Sequence, residues 1–440
     1  MWRATGVMLV GAAVGCASSV VKADPVLAGR ILNPVTSAEP VAGTRDPAVS
    51  GDGRFIFFVS TSGNLGPPAN GALNLYRADL SAATPPDLSL VLAMFGLGNG
   101  NSFGPSASNS GSVVAFETLA TNLGGTEGGF SDVYVSFQIP LPQGEIGFDT
   151  VLVSRGLGNV APNGASRYAS ISGDGRFVAF WSDASNLVAN DNNAAPDIFI
   201  VNVDGGMLGA TERISVDSNE QQISGWSRAL SNHAVSSDGH YVVFAADATL
   251  DGANPGTIED VYLRDRFAGT TTLLSRFNDG TPFSAAADQP SISPDARYVA
   301  FRSFQTGVGI GASRIFLRDR QNNTTTSIPA PPGTASCAEP RVSNAADLAM
   351  NCASNLVGVA QQAWFRRASD GAFFRLSSTP GNADGNGASG TVIDLSDNGD
   401  VVAFDSAASN IDPGDSNSSQ DVFVAIEESV LYNLFSDGFE

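Results

Sequence analysis

The chain has 440 residues, 42% hydrophobic and 15% charged, a balance that excludes global disorder and allows one large repeat domain or two to three ordinary ones. Its formal charge is −21, from 23 basic and 44 acidic residues, and Lys22 is the one lysine. No basic stripe reverses that field locally, so nucleic acid and anionic membrane surfaces are excluded as partners, while a cationic ligand, a basic protein surface or a divalent metal suits it.

Met1-Trp2-Arg3, a short apolar stretch from Gly6 to Gly15 and Val21-Lys22-Ala23 together read as a secretory signal peptide over 1–23, with cleavage after Ala23. The apolar run is too short to span a bilayer, and no later stretch predicts a transmembrane segment. Ala13-Val14-Gly15-Cys16 resembles a lipobox, with Ala13 in place of the usual larger aliphatic residue, and makes a lipid anchor at Cys16 the alternative.

The organising signal is a phrase that recurs along the chain. Its clearest copy is Ser172-Gly173-Asp174-Gly175-Arg176-Phe177-Val178-Ala179-Phe180, matched from Ser50, Ser236 and Ser293 and more weakly from Ser108, Ser343 and Ser396. The Asp-Gly step is turn chemistry, because Gly accepts positive φ and Asp caps its own backbone. The alternating aromatic and aliphatic residues that follow are a strand, so each phrase is the hairpin between a first and a second strand. A third strand follows, as in Asp132-Val133-Tyr134-Val135, Asp197-Ile198-Phe199-Ile200 and Asp421-Val422-Phe423-Val424. A Thr-rich fourth strand comes next, as in Thr270 to Arg276.

Four short antiparallel strands, repeated seven times, predict an all-β fold: a seven-bladed β-propeller over residues 28–426, followed by a C-terminal tail at 427–440. Arg30-Ile31-Leu32 before the first hairpin matches a fourth strand. The N-terminal strand is therefore expected to complete the last blade beside Asp421 to Ala425, leaving Val430 to Phe435 as a spare apolar segment.

Cys337 and Cys352 form an even pair once Cys16 leaves with the signal. They face each other across the hairpin joined by Asn344-Ala345-Ala346-Asp347, and a bridge there is worth about 3 kcal/mol. The alternative is two small buried thiols left reduced.

The Ser-x-Asp-Gly-Arg-Tyr/Phe-Val-Ala-Phe phrase, with Asp-Val/Ile-Tyr/Phe after it, resembles the PD40 (WD40-like) repeats of TolB-type propellers. That resemblance implies a bacterial periplasmic or secreted protein that binds proteins or carbohydrates, with enzymes among its relatives. The small α/β domain that precedes the propeller in TolB has no room here, which speaks against a role in the Tol–Pal envelope system. The ending Asp437-Gly438-Phe439-Glu440 is similar to a short tail on many secreted proteobacterial proteins, read here as a sorting or processing signal.

Chemistry-bearing motifs are sparse. Gly100-Asn101-Ser102-Phe103-Gly104 matches a nucleophile-elbow pattern but lies in an inter-blade loop with no helix to follow. His233 stands where other blades carry Pro47, Pro105 or Pro290, and His240 takes the Arg position of the phrase. Neither has a nearby ligand at metal spacing or a spaced catalytic partner. Two loops between second and third strands collect oxygen ligands of the kind Ca²⁺ prefers: Asp191, Asn193 and Asp197, and Asp415, Asn417 and Asp421. Asp251, Asn254 and Asp260 form a weaker version. Ordinary Asx turns are the other reading of all three.

The expected function is a secreted or periplasmic, monomeric binding module for a protein or glycan ligand. It would be met at the central face or at loops carrying Trp181, Trp226 and Phe283, with inter-blade packing as the other role for these rings. The alternatives are a carbohydrate-active lyase or hydrolase with carboxylates at the central channel, and a surface-anchored structural protein.

Overall fold

The computed structural model describes residues 24–427, apart from 32–38, 66–69, 82–86, 91–96, 126–128, 143–145, 224, 229–232, 251–257, 306–311, 356–359 and 418. The signal-peptide, Cys16 and tail expectations, and Asp251 and Asn254, lie outside these residues. Among the described residues, 28 strands form seven four-stranded antiparallel sheets, with no α-helix.

Each recurring phrase builds one hairpin. In blade three the Ser172 hydroxyl donates to Asp174 Oδ1 at 2.6 Å and accepts the Phe177 N–H at 3.0 Å, while Gly175 takes φ +74°. The same Ser–Asp bond recurs at Ser50, Ser236 and Ser293. In two blades an alanine occupies the left-handed position, Ala296 at φ 59° and Ala346 at φ 67°. The phrase's basic residue reaches an aspartate at the end of the third strand, as in Arg54–Asp79 and Arg297–Asp319. His240 keeps that role, 2.7 Å from Asp265 and stacked on Tyr241 and Phe267.

Second and third strands bury an aromatic pair in nearly every blade, from Phe58–Tyr76 in the first to Phe404–Phe423 in the last. A blade is apolar on both faces, so only stacking against neighbours removes that surface from water. The third strand is tied to the fourth by a buried carboxylate and hydroxyl: Ser154–Asp132, Ser215–Asp197 and Ser275–Asp260 at 2.6–2.9 Å. Blade six uses Gln362 with Ser377 instead.

The ring closes as the sequence predicts. Strand Pro25–Arg30 pairs with Asp421–Glu427 and completes a sheet with Val401–Ser406 and Ser389–Leu395. It begins before the expected Arg30, and a bulge between Leu27 and Gly29 carries the pairing on to the Ile31 N–H, bonded to the Val422 carbonyl. Cys337 and Cys352 lie directly opposite in their hairpin and form a disulfide.

Candidate functional site

The first strand of every blade lines the central channel, and its two ends differ. At one end the hairpin turns touch. The Asp52 N–H donates to the Asn109 carbonyl, Asn109 to Gly173, Asp174 to Ser237 and Ser237 to Pro294, each at 2.8 Å. Asp295 donates to Asn344 Oδ1 at 2.9 Å, Asn344 to the Asp397 carbonyl at 2.8 Å, and Asp397 to Gly51 at 3.0 Å. Every blade therefore gives one N–H to the next around the full circle. A Cβ on Gly173 would stand 2.2 Å from Asn109 Oδ1 and 2.3 Å from Ser237 Oγ, so this end is filled. The space left above the turns, against His233, Asn109 and Asp397, is about 20 Å³. Burial pushes the Asp397 carboxyl up to about 6.

Toward the other end six of the first strands break their register with a bulge, for example between Arg45 and Ala48 or Arg167 and Ser170. One residue in each bulge takes a left-handed conformation: Asp46, Gly104, Tyr168, Gln289, Glu339 and Gly390, with φ between 50° and 71°. Four of the six are not glycine. Such backbone costs on the order of 1 kcal/mol per residue and re-aims the side chain it carries. In four blades a proline follows (Pro47, Pro105, Pro290 and Pro340), which loses no ladder bond at a bulge.

These bulges rim a funnel of about 530 Å³, within the roughly 300–1,000 Å³ of small-ligand sites. Its chemistry is asymmetric. Asp46 and Glu117 lie on blades one and two, and burial raises both carboxyls above their ordinary values, with Asp46 adding to the effect at Glu117. Glu117 accepts the Tyr168 N–H at 3.3 Å. Tyr168 is 53% exposed and meets Trp181 edge-on, while the Trp181 indole N–H donates to the Ser227 carbonyl at 3.0 Å. Across the funnel Gln289 and Glu339 exchange two bonds, the side-chain amide to Glu339 Oε1 at 2.5 Å and the Glu339 N–H to Gln289 Oε1 at 3.0 Å. Asp405, beside Asp46 and buried, accepts the Val392 N–H and the Gln420 amide, and burial pushes it up to about 7.

Below the rim, one register-equivalent position of the first strands holds Ala48, Ser106, Ser170, Ala234, Ser291, Arg341 and Asp394. Two members are charged: Arg341, which lines the funnel, and the buried Asp394. Asp394 Oδ1 lies 2.5 Å from His233 Nε2 of blade four, across the channel, and Oδ2 accepts the Val49 N–H at 2.7 Å. Arg341 Nε is 3.9 Å from Asp394 and its Nη1 is 3.9 Å from Glu339.

The oxygen-rich loops lie away from this funnel, and each surrounds an arginine. Arg213 stands 3.4 Å from both Asp191 and Asp197, and Gln222 bridges the same two carboxylates at 2.8 and 2.9 Å. Asn193 donates to the Ile223 carbonyl at 3.1 Å. In blade seven Arg30 contacts Asp412, Glu39 and Asp421 at 2.7–3.2 Å and Asp415 at 3.8 Å, while Asn417 donates to the Pro40 carbonyl. Burial outweighs Arg30 and raises Asp421 to about 6. Among the described residues, no group of three or more His, Cys, Asp or Glu is placed to hold a metal ion. Trp226 is 53% exposed, and Phe283 is buried among Phe277, Phe301 and Phe316.

Sequence reasoning picked out neither the bulge residues nor Glu117 and Arg341. The one signal, for four of the six bulge residues, was the recurring proline that follows Asp46, Gly104, Gln289 and Glu339.

Fold and channel together define a seven-bladed β-propeller. No protein-family model matches the chain, and no curated protein matches it. An oligogalacturonate lyase in complex with manganese superposes with a TM-score of 0.54 at 12% identity, over 94% of this chain and 100% of that one. The propeller domain of the trilobed protease from Pyrococcus furiosus, described as having an open velcro topology, gives 0.51 at 10% identity, over 87% and 93%. TolB from Acinetobacter baumannii gives 0.39 at 11% identity, over 81% and 76%. In contrast to the description of the Pyrococcus domain, this chain's ring is closed by its first strand.

Proposed function

We propose that the protein is an exported binding module that takes a protein or carbohydrate ligand at the open funnel. The observation that carries this reading is the inequality of the two channel ends. One is sealed by a ring of hydrogen bonds donated by one backbone N–H of each blade; the other spends strained backbone to turn Asp46, Tyr168, Gln289 and Glu339 into the funnel. Export is supported by the signal-like N-terminus and by the Cys337–Cys352 disulfide, which persists in oxidising compartments. The test is a glycan and peptide array probed with the full chain, repeated with Asp46→Asn and Glu117→Gln. A ligand weakened about tenfold by either change supports the funnel, and one indifferent to both places binding elsewhere.

A carbohydrate-active lyase or hydrolase is the second reading. It is favoured by Asp46 and Glu117, two part-buried carboxyls raised above their ordinary values by desolvation at one site, a condition that suits acid–base work. Turnover of any array hit on prolonged incubation, abolished by Glu117→Gln, would decide for it.

A further inference from the structure

We propose that a cleft beside the funnel is a subsite for an acidic sugar, with Arg45 taking the sugar's carboxylate. This rests on the carbohydrate side of the funnel reading and extends it to a second cavity.

The cleft measures about 370 Å³ and lies where Asn101 of blade two and Gln420 of the closing blade meet blade one. Arg45 is the charged residue of its lining. The next residue, Asp46, takes φ 53° and lines the funnel instead. One bulge thus puts a cation on the cleft and a carboxylate in the funnel.

The rim of blade one differs from the others at this level. Arg45 stands opposite Val59, and the register-equivalent second-strand residues of blades two, three, five and six are Glu117, Trp181, Arg302 and Asn351. All four are engaged. Glu117 accepts the Tyr168 N–H at 3.3 Å, and the Trp181 indole donates to the Ser227 carbonyl at 3.0 Å. Arg302 forks onto Asp288 at 2.7 and 2.5 Å, and the Asn351 amide donates to the Gly390 carbonyl at 2.8 Å. Val59 has no group to bond. Arg45 forms no hydrogen bond and no ion pair within salt-bridge distance among the described residues, and its Nε is buried without an acceptor. A half-buried guanidinium in that state is costly unless a ligand supplies acceptors, and the planar oxygen pair of a carboxylate matches its fork.

The neutral groups around Arg45 select what carries the carboxylate. Asn101 Oδ1 accepts the Leu73 N–H at 2.9 Å, while its Nδ2 donates to none of the described residues. The Thr61 hydroxyl, also on the lining, donates to none of them either. Gln420 gives its amide to Asp405 at 2.6 Å, which leaves its side-chain oxygen as an acceptor. Donors and an acceptor around one cation suit a ring bearing hydroxyls and a single carboxylate. An acidic peptide side chain would use Arg45 and leave the others idle. In a chain of charge −21, one arginine balances one negative charge, so a dianion is disfavoured.

The experiment is a ligand-observed NMR titration of the full chain with glucuronate and galacturonate, their methyl esters, glucose, and N-acetylglutamic acid α-amide. At least one uronate is expected to bind about tenfold more tightly than its own ester and than the acidic amino-acid derivative. Arg45→Gln should erase the preference for acid over ester. Thr61→Val should weaken the uronate a few-fold with an unchanged melting temperature, and Glu117→Gln, in the funnel, should leave it unchanged. Equal binding of acid and ester overturns the proposal, as does an acid preference that survives Arg45→Gln, or no uronate binding up to about 10 mM. The acidic amino-acid derivative binding as tightly as the uronate assigns the cleft to a protein ligand and overturns it too. An array ligand sensitive to Glu117→Gln yet indifferent to Arg45→Gln and Thr61→Val overturns the cleft while leaving the funnel reading in place.

Discussion

The two ends of the central channel are built from the same seven first strands and have opposite character. At the turn end each blade contributes a backbone N–H to its neighbour, and the side chains that fit are glycine, serine, asparagine, proline or aspartate. At the funnel end the strands bulge, and no two described blades present the same pair of side chains. Geometry common to all blades requires repetition, and recognition requires the repetition to be broken. The bulge does the breaking at a few residues without disturbing the ladder above and below.

That contrast fails if the sealed end tolerates bulk. Gly173→Val, whose Cβ would stand 2.2 Å from Asn109 Oδ1, is expected to cost about 3 kcal/mol in chemical denaturation. Ligand affinity of the surviving folded fraction should be unchanged. The His233–Asp394 contact across the channel is next in size. His233→Ala leaves the buried Asp394 with the Val49 N–H and a distant Arg341, and should cost about 2 kcal/mol.

Asp405 separates the ends by pH. Its carboxyl is raised from 3.8 to about 7, so the folded state holds the proton more tightly than the unfolded chain. The associated stability is complete below about pH 4 and is lost as pH rises through about 7. Asp405→Asn should therefore raise stability by about 2 kcal/mol near pH 8 and leave it unchanged near pH 4. Denaturation midpoints at the two pH values check this.

A smaller effect sharpens the comparison directly. Ala296→Gly, at φ 59° in a hairpin turn, should stabilise by about 0.5 kcal/mol and leave binding untouched. Tyr168→Gly, at φ 55° in a bulge, should stabilise to a similar degree and weaken binding. The smallest expected effect is none: a chelator should leave the melting temperature unchanged, because Arg30 and Arg213 supply the cation in the Asp- and Asn-rich loops.

Those loops show where sequence reading ends. Asp-x-Asn spacing is local and visible, but the arginine that faces it arrives from another strand. Arg30 comes from the far end of the chain through the closing strand. The hairpins, by contrast, were fully legible, since Ser-x-Asp-Gly carries its own hydrogen bonds within a few residues. Cys337 and Cys352 were legible for the same reason, as register partners in one hairpin. The funnel was not, because Asp46, Tyr168, Gln289 and Glu339 share a backbone angle and no side-chain type.

Hydrogen exchange of the full chain with and without a ligand from the array addresses the main claim most directly. Ligand-induced protection should fall on the bulged segments around 45–48, 103–106, 167–170, 288–291 and 338–341. Protection confined to the turns at 51–53, 109–111, 173–175 and 237–239 would contradict the account.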